Sequence, residues 1–180
     1  GSYEALLDAP DIDAIYLPLP NSLHYEWTIK AARAGKHILC EKPLALNAAQ
    51  CQEMDAAAKE HGLILMEAFM YRFHPRTEKV IEQVHAGALG PLRMIQSSFT
   101  FKLTRPDNIR LQADLGGGSL MDVGSYCVNV CRTLAGEEPE SVQAIAHWAS
   151  TGVDDQMMGS MRFASGLMAQ FDCALTLARR

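Results

Sequence analysis

The sequence predicts two structural units in tandem. A parallel α/β sheet spans residues 1–73, and an α+β unit with an open, mainly antiparallel sheet spans residues 74–180. Three observations predict this. Short apolar runs alternate with helical patterns as far as residue 69, the order of a parallel sheet with crossover helices. After about residue 74 that alternation stops. The stretch LRMIQSSFTFK, residues 92–102, then alternates loosely, like an antiparallel strand with one solvated face.

In order along the chain, YEALLD at residues 3–8 is a short helix closed by Pro10. DAIYLPL at 13–19 is a strand whose apolar centre implies burial on both faces. Asn21 and Ser22 are candidate caps for a helix through His24, Trp27 and Ala31 that stops at Gly35. Residues 37–41 form the next strand, Asn47 caps a third helix ending at Gly62, and LILMEAF at 63–69 is the third strand. In the second unit a helix over 76–86 carries Val80, Ile81 and Val84 inward, and Gly87, Gly90 and Pro91 break it. A polar loop over 104–114 leads to three glycines at 116–118 and a helix over 120–135, which Gly136 and Pro139 end. Strands near 141–149, 156–163 and 167–175 close the chain. Three parallel strands leave an edge that needs cover, and the last strand has no evident partner. These ends predict an internal fragment of a longer protein, or a chain completed by assembly.

Composition narrows the function classes. At 48% hydrophobic and 21% charged residues, the 180-residue chain reads as an ordinary globular protein. A net charge of −5 argues against a nucleic-acid partner. No apolar run approaches the roughly 20 residues of a membrane span, and residues 1–10 do not form a leader. Five cysteines without a CxxC pair or a neighbouring His cluster predict free thiols in a reducing cytoplasm and no metal site.

The chemistry concentrates at strand ends. Open parallel sheets bind ligands outside the carboxyl ends of their strands. Pro18, Leu19, Pro20 and Asn21 stand beyond the first strand, Glu41, Lys42 and Pro43 beyond the second, and Tyr71 and Arg72 beyond the third. A lysine at such a rim can hold an oxygen by charge, although a solvated Glu-Lys pair at a strand end fits the same residues equally well. Further on, GGGSLMDVGSYCVNVCRTLAG places Asp122 and Tyr126 at i and i+4 near a helix start. Alone, Asp122 needs no role beyond stabilising that helix end, and Tyr126 none beyond packing.

Three segments give these residues a shared context. DAIYLPLPNSLHYEWTIKAARAGKHILCEKP, then MEAFMYRFHP, then GGGSLMDVGSYCVN together resemble the glucose-fructose oxidoreductase, inositol dehydrogenase and rhizopine-catabolism family. The branch most similar is that of dihydrodiol and D-xylose dehydrogenases. The resemblance covers nearly the whole chain. It implies the C-terminal half of a Rossmann-like nucleotide domain followed by a substrate and oligomerisation domain. It also implies hydride transfer between NAD or NADP and a sugar, polyol or trans-dihydrodiol carbon. Lys42, Asp122 and Tyr126 are implied as catalytic, the tyrosine standing where other branches have histidine. Pro18, Pro20, Asn21, His24, Glu41, Lys42 and Arg72 are implied on the cofactor side, with His24 equally readable as an ordinary helix-start residue. The family's C-terminal sheet implies a homo-oligomer. The chain departs from the family in lacking a GxGxxG-type phosphate loop. Two rival readings stay open: a non-catalytic dinucleotide- or sugar-binding regulator of the same fold, and an inert truncated fragment.

Overall fold

A computed structural model describes residues 1–179. It divides into two compact units, Gly1–Ala68 with Asp114–Gly116, and Phe69–Ala113 with the chain from Gly117 on. No helix among the described residues is long and apolar enough to cross a membrane.

The first unit opens with α1 (Tyr3–Leu7), capped by the Ser2 hydroxyl, which accepts from the Ala5 amide. It continues through β1 (Ala14–Leu17), α2 (His24–Arg33), β2 (His37–Cys40), α3 (Ala48–Glu60) and β3 (Leu65–Glu67). The strands pair in the order β1-β2-β3, all parallel, with Leu17 opposite Cys40 and Cys40 opposite Glu67. Asn47 caps α3 as its sequence position predicts, accepting from the Gln50 amide at 3.0 Å. Helices α2 and α3 close a core of Leu17, Ala31, Ala32, Ile38, Cys40 and Met54.

Two expectations for this unit are corrected. Burial on both faces of the first strand does not hold: Tyr16 is 54% exposed, beside Leu39 and Met66 in register, because α2 and α3 cover one face only. Asn21 and Ser22 do not cap α2 either. Pro20 precedes a 3₁₀ turn over Asn21–Leu23, and no side chain caps it. The Asn21 amide instead donates to the Gly116 carbonyl at 2.8 Å, a long-range bond that local pattern does not reveal.

The second unit contains α4 (Pro75–His85), β4 (Met94–Thr100), a π-helical turn over Leu120–Gly124, α5 (Ser125–Ala135), β5 (Pro139–Trp148), β6 (Asp154–Phe163) and β7 (Met168–Ala174). The sheet order is β4-β7-β6-β5. β5, β6 and β7 form an antiparallel meander, whereas β4 pairs with β7 in parallel, not in the antiparallel sense expected for residues 92–102. The reason is topological: the chain leaves β4, passes through α5 and two more strands, and returns in the same direction. Helix α5 packs on β4 and β7, and Cys127 and Cys131 project into the core with Ile95, Phe163, Phe171 and Cys173. The inward Val80, Ile81 and Val84 expected on α4 are also corrected. No residue of α4 is buried and Val80 is 48% exposed.

All five cysteines are free. Burial pushes the Cys40 thiol up to about 12 and those of Cys131 and Cys173 up to about 11. Below those values the groups stay protonated and non-nucleophilic. Iodoacetamide at about pH 8 is therefore expected to spare all three in the folded protein and to modify them after denaturation. Rapid native labelling of Cys40 would contradict its placement.

Candidate active site

The carboxyl edge of the first unit's sheet is assembled by three short strands. Beyond β1 stand Pro18, exposed, and Pro20 and Asn21, half-buried. Beyond β2 stand Glu41 and Lys42, half-buried, and Pro43, buried and joined to Lys42 by a cis peptide. The Glu41 carboxylate accepts from the Tyr16 hydroxyl at 2.7 Å and from the Lys42 amide at 3.2 Å. It is thereby drawn toward the strand face.

His24 ties two of these loops together. Its ring is fully buried, with Nδ1 2.8 Å from the Pro43 carbonyl and Nε2 2.8 Å from the Leu19 carbonyl. One imidazole thus joins the turn after β1 to the turn after β2. The ring presents no surface to a ligand, so a direct cofactor contact by His24 is not what the geometry supports. Glu67, at the end of β3, completes the brace by accepting from the Leu44 amide at 2.8 Å. Lys42 is held in place from the residues that follow it: Pro43 by His24, Leu44 by Glu67.

In the second unit, Asp122 is buried within the π-helical turn and its Oδ2 accepts from Arg110 Nε at 2.6 Å. Tyr126 lies in the first turn of α5 and is half-buried among three rings. Phe69, Phe99 and Tyr71 lie 5.4, 5.6 and 5.9 Å from it, centre to centre. The Tyr71 hydroxyl donates to Asn129 on α5 at 2.6 Å, and burial pushes its phenol above the usual tyrosine value. Arg72 is exposed on a 3₁₀ turn over Met70–Phe73 in this same unit. The edge described above accordingly holds the residues beyond β1 and β2, while Tyr71 and Arg72 belong with Tyr126's unit.

Sequence reasoning passed over Glu67, Phe69, Phe99 and Arg110. Glu67 could have been found as a charged residue ending an apolar strand. Arg110 sits in a polar loop without a motif, and only the fold brings it to Asp122.

Residues 1–69 match a family described as "Oxidoreductase family, NAD-binding Rossmann fold", and residues 77–180 match "GFO/IDH/MocA C-terminal domain". The chain is 43% identical over 173 residues to a D-xylose 1-dehydrogenase (NADP(+)) of Haloferax volcanii, covering 96% of this chain and 53% of the relative. It is 42% identical over 158 residues to a trans-1,2-dihydrobenzene-1,2-diol dehydrogenase of Xenopus tropicalis, covering 87% of this chain and 48% of the relative. The crystal structure of an aldose-aldose oxidoreductase from Caulobacter crescentus, complexed with glycerol, superposes with a TM-score of 0.92 at 40% identity, covering 98% of this chain and 54% of that one. The chain spans about half the length of the curated relatives it matches.

Replacing His24 by leucine removes the ring between the Pro43 and Leu19 carbonyls, and the one that accepts its N–H loses its donor. The expected loss is about 1–3 kcal/mol of stability for that orphaned group, read by urea denaturation. A variant as stable as the parent would show that the ring does not brace the loops.

Proposed function

The chain belongs to the GFO/IDH/MocA oxidoreductase family, and on that premise we propose that the protein carrying it is an NAD- or NADP-dependent dehydrogenase of sugar, polyol or trans-dihydrodiol CH–OH groups. Lys42 carries this reading. It stands in Glu-Lys-Pro at the carboxyl end of a parallel strand, where such sheets bind ligands, and the two residues after it are each anchored. That edge fits the nicotinamide end of a dinucleotide, since its loops are braced from below and leave Lys42 half-exposed. A Gly-rich loop for the pyrophosphate is not among these 180 residues.

The proposed division of labour is as follows. Bound nicotinamide supplies the hydride acceptor at C4. The carbinol carbon gives up hydride and its hydroxyl gives up a proton, leaving a carbonyl. Lys42 holds the oxygen by charge as charge develops there. Tyr126 or Lys42 takes the proton. Asp122, held by Arg110, orients the substrate hydroxyls. Pro18, Pro20, Asn21, Glu41 and Arg72 serve the cofactor side, and His24 serves it through Pro43.

The similarity to a D-xylose dehydrogenase and a dihydrodiol dehydrogenase supports the substrate class. Residues 1–73 act as the partial nucleotide domain and residues 74–180 as the substrate and oligomerisation domain. A homo-oligomer is supported by the second unit's sheet, which exposes Ile145 beside Met158 and Met94 beside Met168. Five free thiols fit a reducing compartment, and we place the protein in the cytoplasm.

Lys42→Ala in the protein carrying this chain is expected to lower kcat/KM by about 10²–10⁴-fold while dinucleotide still binds. The assay follows NAD(P)H absorbance with D-xylose and with a trans-dihydrodiol, using each dinucleotide in turn. Undiminished turnover by the variant would sink the assignment. Ile145→Glu is expected to reduce the oligomer's mass in light scattering, and an unchanged mass would remove the sheet from the interface.

A further inference from the structure

The third glycine of the GGG run makes room for a carboxylate from another strand. Gly118 has φ +122°, and a Cβ there would fall closer than 3.0 Å to Oδ1 of Asp154, the first residue of β6. The other oxygen, Oδ2, accepts from the Ser119 hydroxyl at 2.6 Å and from the Leu120 amide at 2.7 Å. Ser119 is fully buried and Asp154 is 7% exposed. The clamp grips the start of the π-helical turn Leu120–Gly124, which has no cap from its own side chains. The Asp122 amide bonds back to the carbonyl of Gly118 at 3.0 Å, and Gly118 is the residue directly before the gripped Ser119 and Leu120. On the opposite side, the Gly117 and Gly118 amides donate to the carbonyls of Gln112 and Arg110, each at 2.9 Å. A Cβ on Gly117 would meet the Arg110 carbonyl oxygen at 2.5 Å. Gly117 and Gly118 are therefore fixed between the Arg110 loop and the Asp154 carboxylate, and both partners of the Arg110–Asp122 pair are referred to one frame.

We propose that Asp154 is a positioning residue for the substrate site: its carboxylate holds Ser119 and Leu120 so that the turn presents Asp122, and Tyr126 beyond it, in working geometry. This rests on the assignment of Asp122 and Tyr126 to that site. Asparagine has the same shape, but its amide nitrogen cannot accept and its oxygen is a weaker partner for two donors. A buried charge-assisted clamp would be exchanged for an incomplete one.

The test is Asp154→Asn in the protein carrying this chain, with Ser119→Ala as a milder variant that removes one of the two donors and keeps the fold if the first does not. In Asp154→Asn, amide hydrogen exchange in a peptide covering residues 118–126 is expected to rise about tenfold, with β7 unchanged. The KM for the sugar or diol is expected to rise about tenfold or more, while the KM for the dinucleotide stays put. Loss of folded protein would lower the apparent kcat and move neither KM, so the split separates positioning from mere stability. Unchanged local exchange, or a substrate KM equal to that of the parent, overturns the proposal. A parent that turns over no sugar or diol overturns the proposed function instead, and local exchange alone then decides whether Asp154 holds the turn.

Discussion

Parallel pairing of β1, β2 and β3 is the constraint on which the first unit's chemistry depends. With Leu17, Cys40 and Glu67 in register, all three strands end at one edge. The loops that follow must then share that edge, whatever their sequences. The strands are short, however, and a few ladder hydrogen bonds do not define where a loop residue points. That is settled by the braces: His24 between Leu19 and Pro43, and Glu67 on Leu44. A fully buried imidazole on carbonyl oxygens is rigid because moving it would leave polar groups unpaired away from water.

The second unit solves the same problem by close backbone approach. Gly117 and Gly124 lie where any side chain would collide, the first with the Arg110 backbone and the second with the Cys173 sulfur. Removing side chains lets the 105–113 loop, the π-helical turn and β7 pack without spacers. A π-helical turn carries one residue more per turn than the helix around it, and such turns recur at functional sites. Here it carries Asp122 toward Arg110, while Tyr126, already in the regular helix, settles among Phe69, Tyr71 and Phe99. Edge and tilted ring contacts of this kind fix a tyrosine's orientation while leaving its hydroxyl to polar partners.

The uncovered surfaces have a common physical meaning. The first unit's sheet shows Tyr16, Leu39 and Met66 in a row, and the second unit's sheet shows Ile145, Met158 and Met168. Helices cover only one face of the first unit's sheet. Both faces carry apolar side chains that no helix of their own unit covers.

The sequence by itself determined the order of elements, the parallel sense of the first sheet, the Asn47 cap and the glycine stops at Gly35, Gly62 and Gly136, all with positive φ. It also drew attention to Lys42, Asp122 and Tyr126, whose roles only the family resemblance implied. These signals are local: periodicity, capping and turn chemistry act within a few residues of each other. Tertiary structure decided what depends on distant neighbours. The direction of β4 followed from where β7 runs, and the bare face of β1 from which helices reach it. Asn21 went to Gly116 rather than to its own helix, and His24 became an internal brace rather than a surface contact. Arg110 and Asp154 found their partners only when the chain brought them to Asp122 and Leu120, 12 and 34 positions away. A charged residue in a loop or at a strand start has no periodicity to reveal its partner, because the pairing is a property of the packed chain.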